Sequence, residues 1–299
     1  MLSKPKSVYI TLLRPKQWTK NIFVFAAVFF SFHLEAGLWL IAALVFGAFS
    51  MLSSSFYVIN DILDRDEDAQ HPIKKLRPIA SGKVSVQIAW VIAIVLLITS
   101  LIGSFSLNFY VGIILLAYAF LQVGYNLWFK KVPLLDILAI ASGFVLRAFA
   151  GSLATGIGLS NWFLLSIAML SLFLAIEKRK AELALTYFGH SIARKTLQFY
   201  SKELLEKLET ITITALLVAY MLWSSGPTLQ GAPTSWLMLT LPIVLYGVFR
   251  YFMLSSSTGT LTAEKPEDIL FADKPIFFTV LLWILTTVTI LWAHHKQFI

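Results

Sequence analysis

Residues 38–71 read LWLIAALVFGAFSMLSSSFYVINDILDRDEDAQH, and this stretch decides the fold. Its first part, residues 38–59, contains no Asp, Glu, Lys or Arg. A helix of about 20 apolar residues crosses the roughly 30 Å hydrocarbon core of a bilayer. The second part, from Asn60 onward, is dense in carboxylates. We therefore interpret the stretch as a membrane helix that ends in an acidic exit into water.

The whole chain has the composition of a membrane protein. Its 299 residues are 58% hydrophobic and 13% charged, whereas soluble domains carry about 25% charged residues. The apolar runs are continuous, which excludes the alternating pattern of a membrane β-barrel. We expect an all-α integral membrane protein, a bundle of about nine transmembrane helices in one domain over residues 1–299. The predicted spans are roughly 18–35, 38–60, 85–103, 107–127, 134–154, 160–177, 209–226, 234–254 and 275–294.

Positive charge lies on alternate connections between these spans. The loops at 33–37, 103–107, 155–160 and 226–233 contain no Lys or Arg, while 22 of the 24 Lys and Arg residues lie in the N-terminal arm and the other loops. The exceptions are Arg147 and Lys296. The positive-inside rule predicts a cytosolic N-terminus and cytosolic long loops, with the C-terminus outside. The net charge of +8 then reflects topology, and we expect no nucleic-acid partner.

The acidic exit has the spacing of a metal site. On a continued helix, Asp61, Asp64 and Asp68 stand at i, i+3 and i+7 and share one face. Three carboxylates on one face repel one another unless a cation neutralises them, and oxygen-rich acidic sites suit Mg²⁺. A plain solvated helix end is the alternative. The basic residues that follow, among them Lys74 and Arg77, favour a site for a metal–diphosphate complex.

Two further features leave alternatives open. Residues 177–182 (EKRKAE) follow the sixth span; positive-inside anchoring explains the basic residues but neither Glu177 nor Glu182. Arg147 lies inside an apolar segment, where a charge usually faces the bundle interior. Asp136, eleven residues earlier, points the same way on a helix. For Arg147, an ion pair with another helix and a role in substrate binding both remain open.

The signature Asn60-Asp61-x-x-Asp64-x-x-x-Asp68, after the second of nine predicted membrane helices, resembles that of the UbiA superfamily of membrane prenyltransferases. Within it, four stretches are similar to the decaprenyl-phosphate phosphoribosyltransferase branch: 13–21 (LRPKQWTKN), 71–82 (HPIKKLRPIASG), 147–151 (RAFAG) and 178–183 (KRKAEL). Ordinary aromatic prenyltransferases carry a second Asp-rich motif at the last of these. This chain departs from that pattern with Lys178, Arg179 and Glu182, which favours a phosphoribosyl diphosphate donor.

The resemblance implies transfer of a 5-phosphoribosyl group from phosphoribosyl diphosphate to a polyprenyl phosphate of the decaprenyl type. The reaction would release diphosphate and serve cell-envelope glycan synthesis at the bacterial cytoplasmic membrane. It implies Mg²⁺ as cofactor, held by the catalytic residues Asp61, Asp64 and Asp68. The implied substrate-binding residues are Asn60 for the ribose or a metal ligand, Lys74, Arg77, Lys178 and Arg179 for phosphates, Glu182 beside them, and Lys20 and Arg14 for the lipid phosphate.

Two other functions compete with this one. A prenyltransferase of the same fold would move a prenyl group from prenyl diphosphate to an aromatic or glycerol-phosphate acceptor. A lipid or small-molecule transporter would be expected to show charged residues at mid-membrane and broken helices in paired halves. The acids of this chain cluster at the predicted cytosolic mouth instead, and the sequence shows no paired repeat. A homo-oligomer is compatible with the sequence.

Overall fold

A computed structural model describes residues 8–71, 74–187, 195–257 and 273–298. These residues form α-helices and short 3₁₀ helices and contain no β-strand. The α-helices are α1 (Val8–Leu13), α2 (Ala26–Phe30), α3 (Ala36–Leu63), α4 (Arg65–Gln70), α5 (Val86–Leu107), α6 (Phe109–Leu127), α7 (Leu135–Thr155), α8 (Asn161–Tyr187), α9 (Lys202–Ser224), α10 (Leu241–Ser257) and α11 (Lys274–His295). The 3₁₀ helices are Pro15–Phe25, Lys74–Leu76, Phe129–Lys131, Lys195–Phe199, Pro227–Leu229 and Ser235–Thr240.

Within the described residues, seven helices are long and apolar enough to cross a membrane. They correspond to seven of the nine predicted spans, so the all-α membrane class is confirmed. The span predicted at 209–226 lies in α9, whose first turns carry charged residues. The span predicted at 18–35 is not one helix: a 3₁₀ helix, Pro15–Phe25, leads into the short α2. The polar Lys20 and Asn21 lie within this predicted span, before its apolar run at residues 22–32, which is the shortest of the nine.

The chain groups into two compact units, each with its own core. The first contains the described residues up to Val28, His33–Leu127 and Leu146–Gly158. The second contains Phe29–Phe32, Trp128–Val145 and the described residues from Leu159 onward. The single domain expected over residues 1–299 stays a prediction.

Helix α3 is the centre of the first unit and packs against α5, α6 and the 3₁₀ helix Pro15–Phe25. Its small serines let neighbouring backbones approach closely, as small residues do between membrane helices. Ser55 Oγ of α3 donates to the Ala93 carbonyl of α5 at 2.8 Å. In the opposite direction, Ser100 Oγ of α5 donates to the Ala48 carbonyl of α3 at 2.7 Å. Hydrogen bonds of this kind fix α3 against α5 along a length of several turns.

The second unit is built on the pair α8 and α9. Phe173 of α8 packs with Ile213 and Leu216 of α9 in one buried cluster. Nearer the other end of α9, the ring of Trp223 lies 5.3 Å from that of Phe163 between centroids. Helix α11 packs against α10 and the 3₁₀ helix Ser235–Thr240.

The outward faces of the long helices are apolar, as lipid contact requires. On α5, Ile98 and Ile102 are 47% and 62% exposed, and on α11 Phe278 is 61% exposed. Water would make such faces unfavourable by about 25 cal/mol per Å² of apolar surface. A bilayer removes that cost, so the exposure pattern agrees with membrane embedding.

Gly151 on α7 marks the closest approach within the first unit. A Cβ at this position would overlap the backbone carbonyl of Val24, in the 3₁₀ helix. We therefore expect Gly151→Ala to destabilise the protein by about 1–3 kcal/mol, as overpacking against backbone does. Gly47 on α3 is the matched control, because a Cβ there would meet nothing within 4 Å. Thermal unfolding in detergent should lower the Tm of Gly151→Ala and leave that of Gly47→Ala unchanged or raised; equal melting of both variants would contradict the close packing.

Candidate active site

The acidic exit of α3 keeps its helical path through one irregular turn. Helix α3 ends at Leu63, Asp64 adopts φ −91° and ψ 9°, and α4 follows. Backbone hydrogen bonds continue across the junction, from Asp64 N to the Asn60 carbonyl at 2.9 Å and from Asp68 N to the Asp64 carbonyl at 2.8 Å. The predicted continuation of the helix is therefore present, with a junction at its middle aspartate. Asp61 and Asp68 are each only 2% exposed.

Arg77 joins these two buried carboxylates. Its NH1 donates to Asp61 Oδ1 at 3.0 Å and to Asp68 Oδ2 at 2.5 Å. Lys74 Nζ lies 3.9 Å from the other oxygen of Asp68. Charge-assisted hydrogen bonds of this kind are short and about twice as strong as neutral ones. The basic stretch after α4 thus folds back on the acids, as its sequence position suggested.

Arg14 reaches the same carboxylate from the N-terminal side. Its NH2 donates to Asp61 Oδ1 at 2.5 Å, and its guanidinium carbon lies 5.4 Å from the centroid of the Tyr57 ring. The backbone of Arg14 is left-handed, with φ 51° and ψ 57°, immediately before the 3₁₀ helix. This conformation is uncommon for a residue with a Cβ, and such residues cluster at functional sites. Three cationic side chains therefore converge on two carboxylates.

The third predicted ligand, Asp64, has a different partner. Its Oδ2 accepts a hydrogen bond from Asn60 Nδ2 at 2.9 Å. Among the residues that the structure describes, no three His, Cys, Asp or Glu side chains come together as a metal-holding group. The pair of Asp61 and Asp68 nevertheless fits a divalent cation, because one positively charged nitrogen of Arg77 already lies between their oxygens. Mg²⁺ commonly takes one or two carboxylates and completes its shell with water and substrate phosphate.

The second predicted cluster is organised around Arg179 of α8, which is 1% exposed. Its Nε donates to Asp136 Oδ2 on α7 at 2.9 Å, and its NH1 donates to Glu182 Oε2. Tyr200 completes the group by donating to Asp136 Oδ1 at 2.7 Å and accepting from the Leu134 amide at 2.7 Å. Burial raises the pKa of the Tyr200 hydroxyl above its usual range, so it stays a neutral donor.

A neighbouring network on the same helix joins Lys180 to two acids. Lys180 Nζ lies 2.9 Å from Glu177 Oε1 and 2.5 Å from Glu209 Oε2 of α9. The hydroxyl of Tyr251 donates to Glu177 Oε2 at 3.2 Å. Both glutamates are buried. Glu177, which positive-inside anchoring did not explain, is thus a partner within the bundle.

Asp136 and Arg147, which the sequence placed on one helical face, have different partners in the structure. Asp136 pairs with Arg179 on α8, an ion pair with another helix. Arg147 instead donates to Asn21 Oδ1 at 2.6 Å and to the Tyr118 hydroxyl at 2.7 Å. No pattern in the sequence indicates a role for Tyr200 or Glu209. A lone acid inside an apolar run is the signal that marks Asp136, whereas Tyr200 carried none.

The remaining predicted residues lie beside these clusters. Lys20 is half-buried on the same 3₁₀ helix as Asn21. Lys178 is half-buried on α8, and Glu182 is the partner of Arg179. In the first unit, the structure brings together Arg14, Asp61, Asp68, Lys74 and Arg77.

These features define a class: a polytopic α-helical membrane protein in which the long apolar helix α3 ends in buried carboxylates held by arginines. The model of the UbiA prenyltransferase family matches residues 21–265. The chain belongs to this family.

Curated relatives cover nearly the whole chain. A decaprenyl-phosphate phosphoribosyltransferase of Mycobacterium tuberculosis is 33% identical over 282 residues, covering 93% of this chain and 92% of the relative. The enzyme of the same name from Mycolicibacterium smegmatis is 36% identical over 287 residues, covering 92% and 89% of the two chains. The enzyme of that name from Corynebacterium glutamicum is 34% identical and covers 92% and 84%.

Solved structures share the fold at lower identity. A UbiA homologue from Archaeoglobus fulgidus, bound to GPP and Mg²⁺, superposes with a TM-score of 0.69 at 20% identity, covering 95% of this chain and 99% of that one. A digeranylgeranylglyceryl phosphate synthase gives a TM-score of 0.66 at 22% identity, covering 94% and 98%. Likeness at this level establishes the fold, and the expected UbiA-like architecture is confirmed.

Proposed function

We propose that this chain transfers a 5-phosphoribosyl group from phosphoribosyl diphosphate to a polyprenyl phosphate of the decaprenyl type and releases diphosphate. The relatives that cover nine-tenths of the chain carry the name of this activity. The observation that carries the proposal in the structure is the convergence of Arg14, Lys74 and Arg77 on the carboxylates of Asp61 and Asp68.

The charge of this cluster suits a diphosphate donor. Three cations against two buried carboxylates leave positive charge for an incoming anion. Arginine forks match phosphate oxygens in the same bidentate geometry that they use for carboxylates. When a diphosphate enters, Arg77 can exchange a carboxylate partner for a phosphate oxygen.

The proposed reaction is a substitution at the anomeric carbon of the ribose. An oxygen of the acceptor phosphate forms a bond to that carbon, and the bond from the carbon to the diphosphate oxygen breaks. The diphosphate leaves with the electron pair of the broken bond. The acceptor phosphate is already anionic at neutral pH, so the step needs no general base. Lys74 and Arg77 stabilise the negative charge that develops on the leaving group.

Mg²⁺, when bound, would neutralise the leaving diphosphate, and Asp61, Asp68 and Asp64 are the residues that would hold it. Asn60 holds the carboxylate of Asp64 through its amide. We assign Asn60 the orientation of that ligand or of the ribose. Lys20 and Arg14 remain our candidates for the lipid phosphate.

In the second cluster we assign different roles to neighbouring residues. Lys178 is half-buried and remains a candidate for phosphate binding. Arg179 is fully buried between Asp136 and Glu182, which favours a role in orienting this part of α8. Glu182 contributes to the same orienting role as an ion-pair partner of Arg179. The departure from a second Asp-rich motif supports ribose transfer over prenyl transfer.

The acceptor brings a long apolar chain, which belongs in lipid-facing grooves between helices. An open apolar groove of about 460 Å³ runs between α8 and α9, with Leu165, Ile211 and Val218 among its lining residues. We propose that part of one lipid chain occupies it. The N-terminus and the active-site loops would lie on the cytosolic side, as the charge distribution predicts.

The donor decides between the two enzymatic functions. Purified protein in detergent would receive ribose-labelled phosphoribosyl diphosphate, Mg²⁺ and polyprenyl phosphate. A second reaction would receive labelled prenyl diphosphate with an aromatic or glycerol-phosphate acceptor. We expect a labelled lipid only in the first reaction. A labelled product only from the prenyl donor would assign the prenyltransferase function instead.

Removal of divalent metal should abolish the transfer. We expect a chelator to stop incorporation of ribose into lipid and added Mg²⁺ to restore it, because the buried carboxylates and the diphosphate both need a cation between them. Asp64→Asn should require a higher Mg²⁺ concentration for half-maximal rate. Full activity in excess chelator would contradict the role of the metal.

A further inference from the structure

We propose that Arg147 is a positioning residue, which anchors the 3₁₀ helix Pro15–Phe25 through Asn21 and thereby holds Arg14 against Asp61. The inference rests on the proposed function only in that Asp61 belongs to the catalytic site. The anchoring itself is a property of the first unit and can be measured without catalysis.

Arg147 is buried among polar and aromatic partners from three elements. Only 5% of it is exposed, and it donates to Asn21 Oδ1 on the 3₁₀ helix and to the Tyr118 hydroxyl on α6. Its guanidinium carbon lies 4.7 Å from the centroid of the Tyr118 ring and 5.8 Å from that of Phe49. Burial of a cation in a membrane bundle costs a few kcal/mol, so such residues generally have a function. The partner of Arg147 that connects it to the 3₁₀ helix is Asn21.

Asn21 ties three elements together. It is 0% exposed, accepts from Arg147 of α7, and donates through Nδ2 to Ser50 Oγ of α3 at 3.1 Å. Each of these bonds is buried, and the loss of one leaves a polar group without its partner. Through Asn21, both α7 and α3 are hydrogen-bonded to the 3₁₀ helix.

These hydrogen bonds are important because a long 3₁₀ helix has little stability of its own. It runs for 11 residues, whereas 3₁₀ helices rarely exceed three or four because their hydrogen bonds have poor geometry. Packing must therefore hold it. Trp18 Nε1 donates to Ser54 Oγ at 2.9 Å, and Gly151 permits the Val24 carbonyl to lie directly on α7. Arg147 and Gly151 stand four residues apart on one face of α7 and hold the same segment.

The segment carries the constraint to the acidic cluster. Arg14 immediately precedes it, in the left-handed conformation that aims its guanidinium at Asp61. At about 2 Å rise per residue, Asn21 and Arg14 are roughly 14 Å apart along the segment. A shift of the segment at Asn21 therefore displaces Arg14 from a carboxylate at the far end. Arg147 therefore acts on the site indirectly, through the position of the 3₁₀ helix, and makes no contact of its own with Asp61 in the proposal.

A double-mutant cycle tests the coupling. Arg147→Met and Arg14→Ala are each expected to lower kcat/KM for ribosyl transfer by about tenfold or more. In the Arg14→Ala background, Arg147→Met should cost less than about threefold further, because residues that act through one another are not additive. Asn21→Ala should reproduce Arg147→Met. Tyr118→Phe removes the bond to α6 and is expected to stay within about twofold of wild type. Additive losses, or a loss in Tyr118→Phe equal to that in Asn21→Ala, would overturn the proposal.

A structural readout keeps this test separate from the proposed function. The sequence has no cysteine, so Lys16→Cys and Leu63→Cys give a unique pair of labels, one on the 3₁₀ helix and one at the end of α3. Pulsed EPR should show a broadened or displaced distance in Arg147→Met and Asn21→Ala and an unchanged one in Tyr118→Phe. If Arg147→Met does not fold, Asn21→Ala decides. An unchanged distance in Asn21→Ala would refute the anchoring, whichever lipid product the enzyme makes.

Discussion

Replacing Asp61 by asparagine is expected to lower the rate of ribosyl transfer by at least about 100-fold, the loss typical when one preorganised electrostatic group is removed. Asparagine keeps the shape of the side chain and removes its charge. In the structure that charge is shared by Arg14 and Arg77, and in the proposed reaction it holds the metal. The change therefore removes the shared anchor of both arginines and one carboxylate ligand at once.

The matched control for this variant is Asp66→Asn. Asp66 lies five residues further along, and its side chain is 95% exposed. We expect it to keep wild-type turnover. Radiolabel incorporation into lipid, measured at saturating donor and Mg²⁺ for both variants, checks the prediction. Wild-type turnover in Asp61→Asn would remove this aspartate from the catalytic site.

The largest effect on stability is expected from Arg179→Met. The substitution keeps an apolar stem of similar length but leaves the buried carboxylate of Asp136 without its cation. Breaking a buried ion pair in this way costs about 3–5 kcal/mol. Thermal unfolding of the purified protein in detergent measures the loss. Arg65→Met is the control, because the Arg65 side chain is 54% exposed and its pair with Asp66 spans 3.9 Å.

A second variant separates the two roles of Arg179. Replacing Asp136 by leucine in the Arg179→Met protein removes the stranded charge, and we expect part of the lost stability to return. If Arg179→Met is as stable as wild type yet inactive, the side chain acts on substrate, as the resemblance to the phosphoribosyltransferase branch implies. If stability falls and the double variant recovers activity together with stability, its role is positioning.

Some of the site followed from local sequence and some did not. The backbone hydrogen bonds that cross the Asp64 junction follow from the i to i+4 repeat of a helix, which the sequence shows directly. The proximity of Arg77 to Asp61 and Asp68 was expected, because the basic stretch that contains Arg77 begins only a few residues after the end of α4. Asp64 accepts a hydrogen bond from Asn60 at an irregular turn, which local sequence did not show, and its role as a metal ligand stays a prediction.

The N-terminal segment is the clearest case that local sequence could not predict. A membrane helix was predicted over residues 18–35, and the structure has a 3₁₀ helix from Pro15 to Phe25 followed by the short α2. The segment makes hydrogen bonds with residues far from it in sequence, namely Arg147 of α7 and two serines of α3. Those contacts join residues up to 126 positions apart in sequence.

The sequence alone determined that this protein is a helical membrane bundle with an acidic exit from the helix that contains residues 38–60. Lipid offers the backbone no hydrogen-bond partner, so runs of about 20 apolar residues must form helices. Tertiary structure alone decided which cation meets which acid. Arg14 and Asp61 are 47 residues apart, and Arg179 and Asp136 are 43 apart. Helix packing and the left-handed backbone of Arg14 bring these charged side chains together. Neither can be read from the local periodicity of the sequence.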